Sequence, residues 1–388
     1  MNTTVISNST QAPELGNHNV SNSMRRNASD NNVDTIILLQ ETTSYLWIIL
    51  SPVLLVIGLF GNISIVAVLA KLKFWKKPTY ILLFVLALAD ITVLCVGPTR
   101  YWTMEVFNID LRSVTNIGCK VNVFVIYTSM QFSSMILVCI TFERFLKTRY
   151  PFRYHTIVSI KKTIFLVICI FLLLTGLNVF WFETQGLVDL EGELSCEATT
   201  TAYFWFEEFI YTYVDLFVLS VFPFVAMVIM NIFINMVLME SKELRKMSVS
   251  DESTRKELGK FSRALTNMIL FTSLYFLVAT VPVSVYFITE SYLAPDADDL
   301  TLAKMDVAWA MTYLFMFSNY VVNFFLYMMT NTAFKRAFLE ICCCVVNKPP
   351  TRRGSRFVST TQVSVVTSLT EGEQKLPTVS QSSGFDPI

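Results

Sequence analysis

Seven long apolar segments divide the chain between residues 45 and 329. They run approximately over 45–70, 79–102, 118–147, 163–182, 209–239, 264–289 and 307–329, and four of them (45–70, 163–182, 264–289 and 307–329) contain no Asp, Glu, Lys or Arg. Each segment is long enough to cross a hydrocarbon layer of about 30 Å as a helix. The pattern predicts an all-α membrane protein with a seven-helix transmembrane domain over residues 45–330.

The composition supports a membrane protein rather than a soluble one. Hydrophobic residues make up 53% of the 388 residues and charged residues only 15%, whereas soluble domains carry about 25% charged residues. Such an excess of apolar side chains cannot all be buried in one globular core. The formal net charge is zero and indicates no particular partner; we expect membrane lipid around the bundle and no nucleic-acid partner.

Basic residues are concentrated in alternate connections between the segments. Four lysines and no acid lie between the first and second segments. Five basic residues run from Lys147, the last residue of the third segment, to the beginning of the fourth, and seven lie between the fifth and sixth. Because cytoplasmic loops carry the excess of Lys and Arg, these connections are predicted to be cytoplasmic. The chain is therefore predicted to be a multi-pass plasma-membrane protein with an extracellular N-terminus and a cytoplasmic C-terminus.

The regions outside the seven segments are polar. Residues 1–44 are rich in Asn, Ser and Thr and are predicted to be an extracellular disordered tail, glycosylated at the sequons of Asn2, Asn8, Asn19 and Asn27. Residues 331–344 have the pattern of a short amphipathic helix and end in three cysteines that are candidates for palmitoylation, Cys342, Cys343 and Cys344. Residues 345–388 are predicted to be a disordered cytoplasmic tail.

Two cysteines are available for a disulfide. Cys119 and Cys196 are the cysteines that this topology places on the oxidising outer side, because the others lie inside segments or on the cytoplasmic side. A bond between them would hold the second outer loop across the mouth of the bundle.

One carboxylate lies in the middle of the second segment, where an ionised side chain is costly and usually functional. Asp90 is accompanied at mid-membrane depth by polar side chains at Asn62, Ser133, Asn319 and Asn323. Oxygen-bearing side chains around a carboxylate suit a small hard cation. They equally suit a hydrogen-bond cluster that joins the helices, and the residues alone leave both interpretations open.

Other charged residues lie near the ends of the segments. Arg100 and Asp215 fall one to two turns inside the outer face, where each could form a packed ion pair or contribute to a ligand site; the depth favours the ligand site. Glu143 and Arg144 end the third segment on the inner side. Adjacent charges at a helix end are commonly just solvated, but their position at the end of the third of seven segments favours a functional role.

These features together resemble the rhodopsin-like (class A) G protein-coupled receptors over roughly residues 45–344. The matching motifs are, in order, Gly61-Asn62, Leu86-Ala87-Leu88-Ala89-Asp90, Cys119, Glu143-Arg144-Phe145, Phe222-Pro223, Phe276 six residues before Pro282, Asn323 with Tyr327, and Phe334. The resemblance implies receptor activity through heterotrimeric G proteins and no enzymatic activity. It also implies a neuropeptide branch, because the motif Asn323–Tyr327 is similar to that of invertebrate receptors for FMRFamide-type peptides.

The resemblance assigns roles to particular residues. Glu143 and Arg144 would hold the inactive state and contact the G protein, Pro282 would be the hinge of the sixth helix near Phe276, and Tyr327 would move inward on activation. The set of Asp90, Ser133, Asn319 and Asn323 would bind an allosteric sodium ion, the one cofactor that the resemblance suggests. Several positions depart from the family pattern: Phe324 replaces the usual Pro, Thr280 the usual Trp, and Ile170 lies where the fourth helix usually has Trp.

The outer connections predict the chemistry of the ligand. Residues 183–208 carry seven acids and no Lys or Arg, and such a field would concentrate cationic ligands. Loop acids can also serve only solubility, and interfacial aromatic residues are common in membrane proteins. We expect a short basic amidated peptide, contacted by Arg100, Tyr101, Tyr127, Tyr211, Asp215, Phe287, Glu290, Trp309 and Tyr313.

The alternatives to a peptide receptor are a receptor for another ligand, a transporter and an intramembrane enzyme. A lipid or small metabolite is the alternative ligand, and a polytopic transporter the remote alternative, although broken spans and repeats of the transporter type are not recognised. An intramembrane enzyme would need a catalytic constellation, whereas the two histidines, His18 and His155, lie outside the seven segments. The Ser/Thr-rich tail is expected to recruit arrestin after phosphorylation by receptor kinases.

Overall fold

The computed structural model describes the backbone of residues 19–190, 192–248, 252–330 and 332–342, and the side chains of residues 32–189, 192–240, 271, 273–329 and 334–342. The chain divides into two units, Met1–Ile341 and Cys342–Ile388. Apart from Cys342, which is exposed, the second unit lies outside the described residues. The predictions for the tail 345–388 and for Cys343 and Cys344 therefore fall outside the described residues. The predicted sequons at Asn2 and Asn8 do so too, because the described backbone begins at residue 19.

The first three long helices are α1 (Asn19–Lys71), α2 (Pro78–Phe107) and α3 (Asn116–Arg149). Local sequence signals explain where two of them begin. Pro78 occupies the first turn of α2, where a missing N–H has no consequence. Thr115 caps α3, because its hydroxyl accepts the N–H of Gly118 at 2.9 Å.

The fourth and fifth spans each consist of several shorter helices. A one-turn helix α4 (Tyr154–Ile157) precedes the fourth span, which consists of α5 (Ile160–Asn178) and the single turn α6 (Trp181–Thr184). The fifth span contains α7 (Thr201–Phe206), α8 (Thr212–Asp215) and α9 (Phe222–Ser248). Two wide π-helical turns, Glu207–Tyr211 and Leu216–Val221, separate these helices, and such turns are frequent at functional sites.

The remaining helices are α10 (Glu252–Leu293), α11 (Asp299–Thr330) and the short α12 (Thr332–Cys342). Six helical stretches of the described residues are long and apolar enough to cross a membrane. Helix α11 is as long as these, but Asn319 and Asn323 lower its hydropathy, and both are buried inside the bundle. The seven predicted segments thus all fall within helical spans of the structure.

One expectation for the outer side needs correction, and one element there was not predicted. The predicted disordered tail 1–44 is wrong for residues 19–44, which belong to α1, because the apolar run Ile36–Leu39 continues the helix outward. Asn19 and Asn27 therefore lie on a helical backbone. The acidic connection between the fourth and fifth spans, for which the sequence analysis predicts no secondary structure, contains an antiparallel hairpin of β1 (Gln185–Leu190) and β2 (Glu193–Ala198).

The hairpin is fixed to the outer end of α3 at two points. Cys196 of β2 is bonded to Cys119 of α3, with 5.5 Å between their Cα atoms, which confirms the predicted disulfide. In addition, the side-chain oxygen of Asn116 accepts the backbone N–H of Leu187 in β1 at 3.1 Å. The second outer loop is therefore held against the beginning of α3.

The interior contains separate apolar clusters at different depths. One cluster of the outer half includes Trp47, Val93, Leu94, Phe317 and Tyr320. The inner cluster joins α12 to the bundle, since Phe334 and Ala337 are buried among residues of the other helices: Ile65, Val68, Leu69, Leu83, Ala87, Phe324 and Tyr327. A salt bridge of 3.0 Å between Lys71 and Glu340 links the ends of α1 and α12.

We predict that Gly97→Ala destabilises the bundle by about 1–3 kcal/mol, because overpacked cores must shift to accept an added methyl group. A Cβ atom at Gly97 would lie 2.4 Å from a ring carbon of the buried Phe317. The measurement is the thermal stability of the purified protein in detergent. Gly176→Ala is the matched control, since a Cβ there meets nothing within 4 Å; equal stability of the two variants would contradict the packing.

Candidate functional site

Aromatic side chains from several helices meet in the outer half of the bundle. Trp47 of α1 stacks on Tyr101 of α2 with ring centroids 4.2 Å apart, and Trp309 of α11 lies 5.1 Å from Tyr101. Tyr313 is 5.6 Å from Tyr101 and 5.8 Å from Phe287 of α10. The structure thus brings together four of the predicted ligand residues around Trp47, which the sequence did not single out.

A second aromatic group lies beneath the hairpin. Tyr127 of α3 stacks on Trp181 with centroids 4.9 Å apart, and Tyr211 lies edge-on to Tyr127 at 5.5 Å. The disulfide of Cys119 and Cys196 belongs to the same buried cluster. The predicted residues Tyr127 and Tyr211 are therefore close together, on the α3–α5 side of the outer half.

A closed ring of hydrogen bonds joins Tyr211 to two buried amides. Its hydroxyl donates to the side-chain oxygen of Asn178. The Asn178 amide donates to Gln131 Oε1 at 2.7 Å, and Gln131 Nε2 lies 3.0 Å from the Tyr211 hydroxyl oxygen. Gln131 and Asn178 are fully buried, so the ring connects α3, α5 and the fifth span in the interior of the protein.

Asp215 is attached to this ring by one of its two oxygens. Gln131 Nε2 donates to Asp215 Oδ1 at 2.8 Å. Within the described part of the chain, Oδ2 receives no hydrogen bond, and Asp215 has no basic partner within 4 Å. Its side chain is only partly buried. Asp215 therefore combines a fixed orientation with one carboxylate oxygen that can accept a cationic group.

Further acids lie at the outer ends of the fifth span and α10. Ser291 donates to Glu208 at 2.5 Å, and the hydroxyls of Tyr213 and Tyr292 are 3.0 Å apart. Glu290, the other predicted cation anchor, lies next to Ser291 and is partly buried. These contacts bring the outer ends of the fifth span and α10, with their acids, close together.

Arg100, the other predicted ligand residue, is engaged in an ion pair with the first outer loop. Its guanidinium donates two hydrogen bonds to Asp110, at 3.0 and 2.8 Å, and Arg112 binds the same carboxylate at 3.2 Å. Burial would raise the pKa of Asp110, but the hydrogen bonds and charges of Arg100 and Arg112 hold it well below its usual value. Of the two roles left open by the sequence, the structure shows the packed ion pair.

The polar centre lies deeper in the bundle. Asp90 is 0% exposed; its two oxygens accept Ser133 Oγ at 2.6 Å and Asn323 Nδ2 at 2.8 Å. Asn62 donates to the backbone oxygens of Gly58 and Tyr320 at 3.0 and 2.9 Å. These contacts join α1, α2, α3 and α11 at mid-membrane depth.

The types of side chain at this polar centre are suitable ligands for a monovalent cation. One carboxylate, a hydroxyl and two side-chain amides supply hard oxygen ligands with a single negative charge. The buried side-chain oxygen of Asn62 also has no hydrogen-bond partner among the described residues. Asn319 is buried as well, but no contact joins it to Asp90 in the described structure. The hydrogen bonds to Asp90 come from Ser133 and Asn323.

The predicted pair at the inner end of α3 has unexpected partners. Glu143 is 3% exposed and accepts hydrogen bonds from Thr79 of α2 at 2.7 Å and from Tyr154 of α4. Arg144 is more distant, with 3.8 Å between its Nε and Glu143 Oε2. Burial and the hydrogen bond to Glu143 raise the pKa of Tyr154, so the phenol stays protonated as the donor.

The other predicted activation residues lie on α10 and α11. Phe276 is fully buried in the cluster between α2, α3 and α9, and Pro282 lies inside α10. Thr280, at the place of the usual Trp, is buried and donates to the backbone oxygen of Phe276 at 2.7 Å. Tyr327 packs on Phe334 with ring centroids 5.9 Å apart.

Sequence reasoning missed several residues of these sites: Trp47, Thr79, Asp110, Gln131, Tyr154 and Asn178. Two of them carried a usable signal. Gln131 and Asn178 are amides inside apolar segments, and polar side chains at that depth usually bind one another. Thr79, Asp110 and Tyr154 lie at segment ends or in loops, where polar residues are ordinary and no pattern distinguishes them.

We predict that Asp110→Asn lowers the stability of the purified protein by about 2 kcal/mol, since the substitution leaves two partly buried guanidiniums without their anion. Because the pKa of Asp110 is depressed in the folded state, its contribution is complete above the usual Asp value near 3.9 and is lost only as the pH falls further. The difference from wild type should thus be constant from about pH 5 to 8.

The control for this variant is Asp296→Asn, at an exposed acid of the third outer loop, which should leave the melting temperature unchanged. Loss of stability in both variants, or in neither, would contradict the role of the Arg100–Asp110 pair.

A comparison with protein families agrees with this arrangement. The family model described as 7 transmembrane receptor (rhodopsin family) matches residues 61–327, more than half of the chain. Proteins of this family are multi-pass membrane receptors, not enzymes; they bind extracellular ligands and signal through G proteins. The match confirms the predicted all-α seven-helix fold and the resemblance at the level of the whole family. The chain belongs to the rhodopsin family of seven-transmembrane receptors.

Proposed function

We propose that this receptor recognises a short, basic, C-terminally amidated neuropeptide at the extracellular face of the plasma membrane. In this orientation the N-terminus is extracellular, the C-terminus is cytoplasmic, and heterotrimeric G proteins bind at the inner ends of the helices. The resemblance to the invertebrate FMRFamide-type receptors motivates the peptide class. The receptor function itself follows from the family.

The observation that carries the proposal is the geometry of Asp215. Its Oδ1 is held by Gln131 at 2.8 Å, while Oδ2 has no partner among the described residues. A buried or half-buried carboxylate needs a counter-charge or several hydrogen bonds. A guanidinium or ammonium group of the ligand would provide what the receptor does not.

The surroundings of Asp215 suit a basic peptide with aromatic side chains. Tyr127, Tyr211 and Trp181 form the adjacent aromatic cluster, and aromatic faces attract cations and stack on other rings. Glu208, in the same span as Asp215, and Glu290 of α10 add negative charge at the outer ends of their helices. This charge would attract a cationic ligand towards Asp215. On this proposal Tyr101, Phe287, Trp309 and Tyr313 contact the apolar part of the ligand.

A lipid or small metabolite is the alternative ligand, and one observation favours it. The cluster around Trp47 is aromatic and apolar, and its one cation, Arg100, is already paired with Asp110. A ligand bound only there would not require Asp215. The two candidates therefore differ in their dependence on this residue.

We predict that Asp215→Asn lowers peptide potency at least about tenfold, because removing one partner of a desolvated charge pair costs 2–5 kcal/mol. Cells expressing the receptor would be screened for calcium and cAMP responses to a library of short amidated peptides and to a lipid and metabolite panel. Glu290→Gln should also reduce potency, by charge loss, with normal surface expression.

Asp299→Asn, at the exposed first residue of α11, is the matched control and should respond like wild type. If Asp215→Asn and Glu290→Gln both respond to peptide like wild type, the proposed placement is wrong. A response to the lipid and metabolite panel alone would replace the peptide with the alternative ligand.

For activation, we propose that Glu143 and Arg144 at the inner end of α3 govern the inactive state, with Phe276, Pro282, Asn323 and Tyr327 as the moving parts. The hydrogen bonds from Thr79 and Tyr154 to Glu143 support this proposal. Both donors keep the carboxylate in place while Arg144 lies 3.8 Å away. The inactive state would then depend on the short helix α4 as well as on α3.

We predict that Tyr154→Phe raises basal signalling severalfold, because a hydrogen bond to a charged group contributes about 1.5–3 kcal/mol. Basal second-messenger level, normalised to surface expression, is the measurement. Tyr150→Phe is the control, since Tyr150 is an exposed tyrosine of the same loop. Unchanged basal activity in Tyr154→Phe would show that the contact does not hold the inactive state.

We also propose that Asp90, Ser133, Asn319 and Asn323 bind an allosteric sodium ion. Agonist potency of the wild type should then change when sodium is replaced by N-methylglucamine, and Asp90→Asn should abolish this dependence. A wild type that is indifferent to sodium would leave the hydrogen-bond network as the sole role of these residues.

Modification of the tails completes the proposal. Glycans at Asn2, Asn8, Asn19 and Asn27 would face the extracellular side, and palmitoylation at Cys342, Cys343 and Cys344 would anchor the end of α12. The cytoplasmic tail would bind arrestin after phosphorylation by receptor kinases. The exposure of Cys342 is compatible with acylation.

A further inference from the structure

A cavity of about 210 Å³ lies between α2, α3 and α5, on the side of the bundle that faces the lipid. Its lining is mostly apolar and includes Val85, Leu88 and Ala89 of α2, Thr128 and Phe132 of α3, and Phe171 of α5. Leu88 and Phe171 are 44% and 47% exposed, and both lie well inside membrane spans, so the cavity opens towards the hydrocarbon. None of the residues assigned to the outer ligand site lines it.

One buried polar atom at this cavity has no partner. Thr128 is 4% exposed, and its Oγ1 makes no hydrogen bond to any of the described residues. Threonine in a helix commonly donates to the carbonyl four residues earlier; Thr92, which also lines the cavity, does so to Leu88 at 3.0 Å. An unpaired buried hydroxyl is costly. Thr128 therefore favours an occupant that carries a hydrogen-bonding atom.

Two phenylalanine rings in the lining favour an aromatic occupant. Phe132 and Phe171 lie edge-on to each other, with ring centroids 5.5 Å apart and an interplanar angle of 73°. A further ring can pack against this pair in an offset or edge-to-face arrangement, which aromatic groups prefer. An acyl chain of the surrounding lipid could fill the same space, but its hydrocarbon has no atom that pairs with Thr128.

The volume of the cavity limits the size of the occupant. An apolar cavity of about 150 Å³ is enough for benzene, and drug-sized ligands occupy about 300–1,000 Å³. The 210 Å³ between α2, α3 and α5 therefore suits a single ring with short alkyl groups.

The cavity also adjoins the polar centre of the bundle. Ala89 directly precedes Asp90 in α2, and Phe132 directly precedes Ser133 in α3. Asp90 and Ser133 form the 2.6 Å hydrogen bond that joins these two helices. An occupant of the cavity would thus contact α2 and α3 next to that bond.

We propose that this cavity is a second binding site, which takes a small lipid-soluble phenol. The ring of the ligand packs on Phe132 and Phe171, and its hydroxyl pairs with Thr128 Oγ1. The site is entered from the membrane, and it does not depend on the chemistry of the ligand in the outer half of the bundle.

Thymol and p-cymene are the probes, because they share one ring and its alkyl groups and differ only in the hydroxyl. The full-length receptor is placed in lipid nanodiscs, and the dissociation constant is obtained from the rise of the melting temperature with probe concentration. Thr128→Val removes the unpaired hydroxyl and keeps the shape of the side chain. Thr92→Val is the matched control, since the Thr92 hydroxyl is already bonded to Leu88.

We expect Thr128→Val to weaken thymol binding about three- to tenfold, which corresponds to one hydrogen bond, and to leave p-cymene binding unchanged. Thr92→Val should bind both probes like wild type. Equal thymol binding in wild type and Thr128→Val, or the same loss in Thr92→Val, overturns the proposal. A wild-type melting temperature that thymol does not raise overturns it as well.

An independent variant tests the location of the site. Ser129 lines the cavity and is half-buried, so Ser129→Leu fills part of the space and should weaken both probes about tenfold or more. Gly176→Ala, which lies outside the lining, is the control and should bind like wild type. Unchanged binding in Ser129→Leu overturns the site. These results do not involve a peptide, so they are independent of the proposed function.

Discussion

The carboxylate of Asp90 imposes the constraint on which the rest of the bundle depends. Asp90 is 0% exposed, so its oxygens need hydrogen-bond partners from other helices. Ser133 of α3 and Asn323 of α11 provide them, at 2.6 and 2.8 Å. Because each bond requires a particular rotation and depth of its helix, three spans are fixed relative to one another. Any change at this centre must therefore move helices as well as side chains.

Helix α3 contributes one residue to the polar contacts in the outer half, in the centre and at the inner end of the bundle. Gln131 orients Asp215 in the outer half, Ser133 binds Asp90 in the centre, and Glu143 accepts bonds from Thr79 and Tyr154 at the inner end. On the proposed function, a ligand cation at Oδ2 would act on the same carboxylate that the Gln131 amide holds by Oδ1. Through the backbone of α3, such a change can shift the balance between two arrangements of the lower contacts, which is how ligand binding selects a signalling state.

The long-range order of the chain could be predicted from sequence, and the partners of individual side chains largely could not. The seven spans can be predicted because a helix that crosses a membrane needs a long run of apolar residues. The disulfide can be predicted because two cysteines lie on the oxidising side of the membrane. The hairpin was missed because Gln185–Ala198 reads as an acidic loop, and its pairing depends on Asn116 and Cys119 far along the chain. The ion pair of Arg100 could not be predicted because Asp110, its partner, lies in an ordinary polar loop.

The central claim is that Asp90 and Asn323 act as one unit that joins α2 to α11. The direct measurement is a double-mutant cycle on the thermal stability of the purified receptor, with Asp90→Ala, Asn323→Ala and the double variant. If the hydrogen bond between them holds the helices together, the two effects will be non-additive by about 1 kcal/mol or more, since residues in one buried network are coupled. Effects that add to within about 0.5 kcal/mol would contradict the claim.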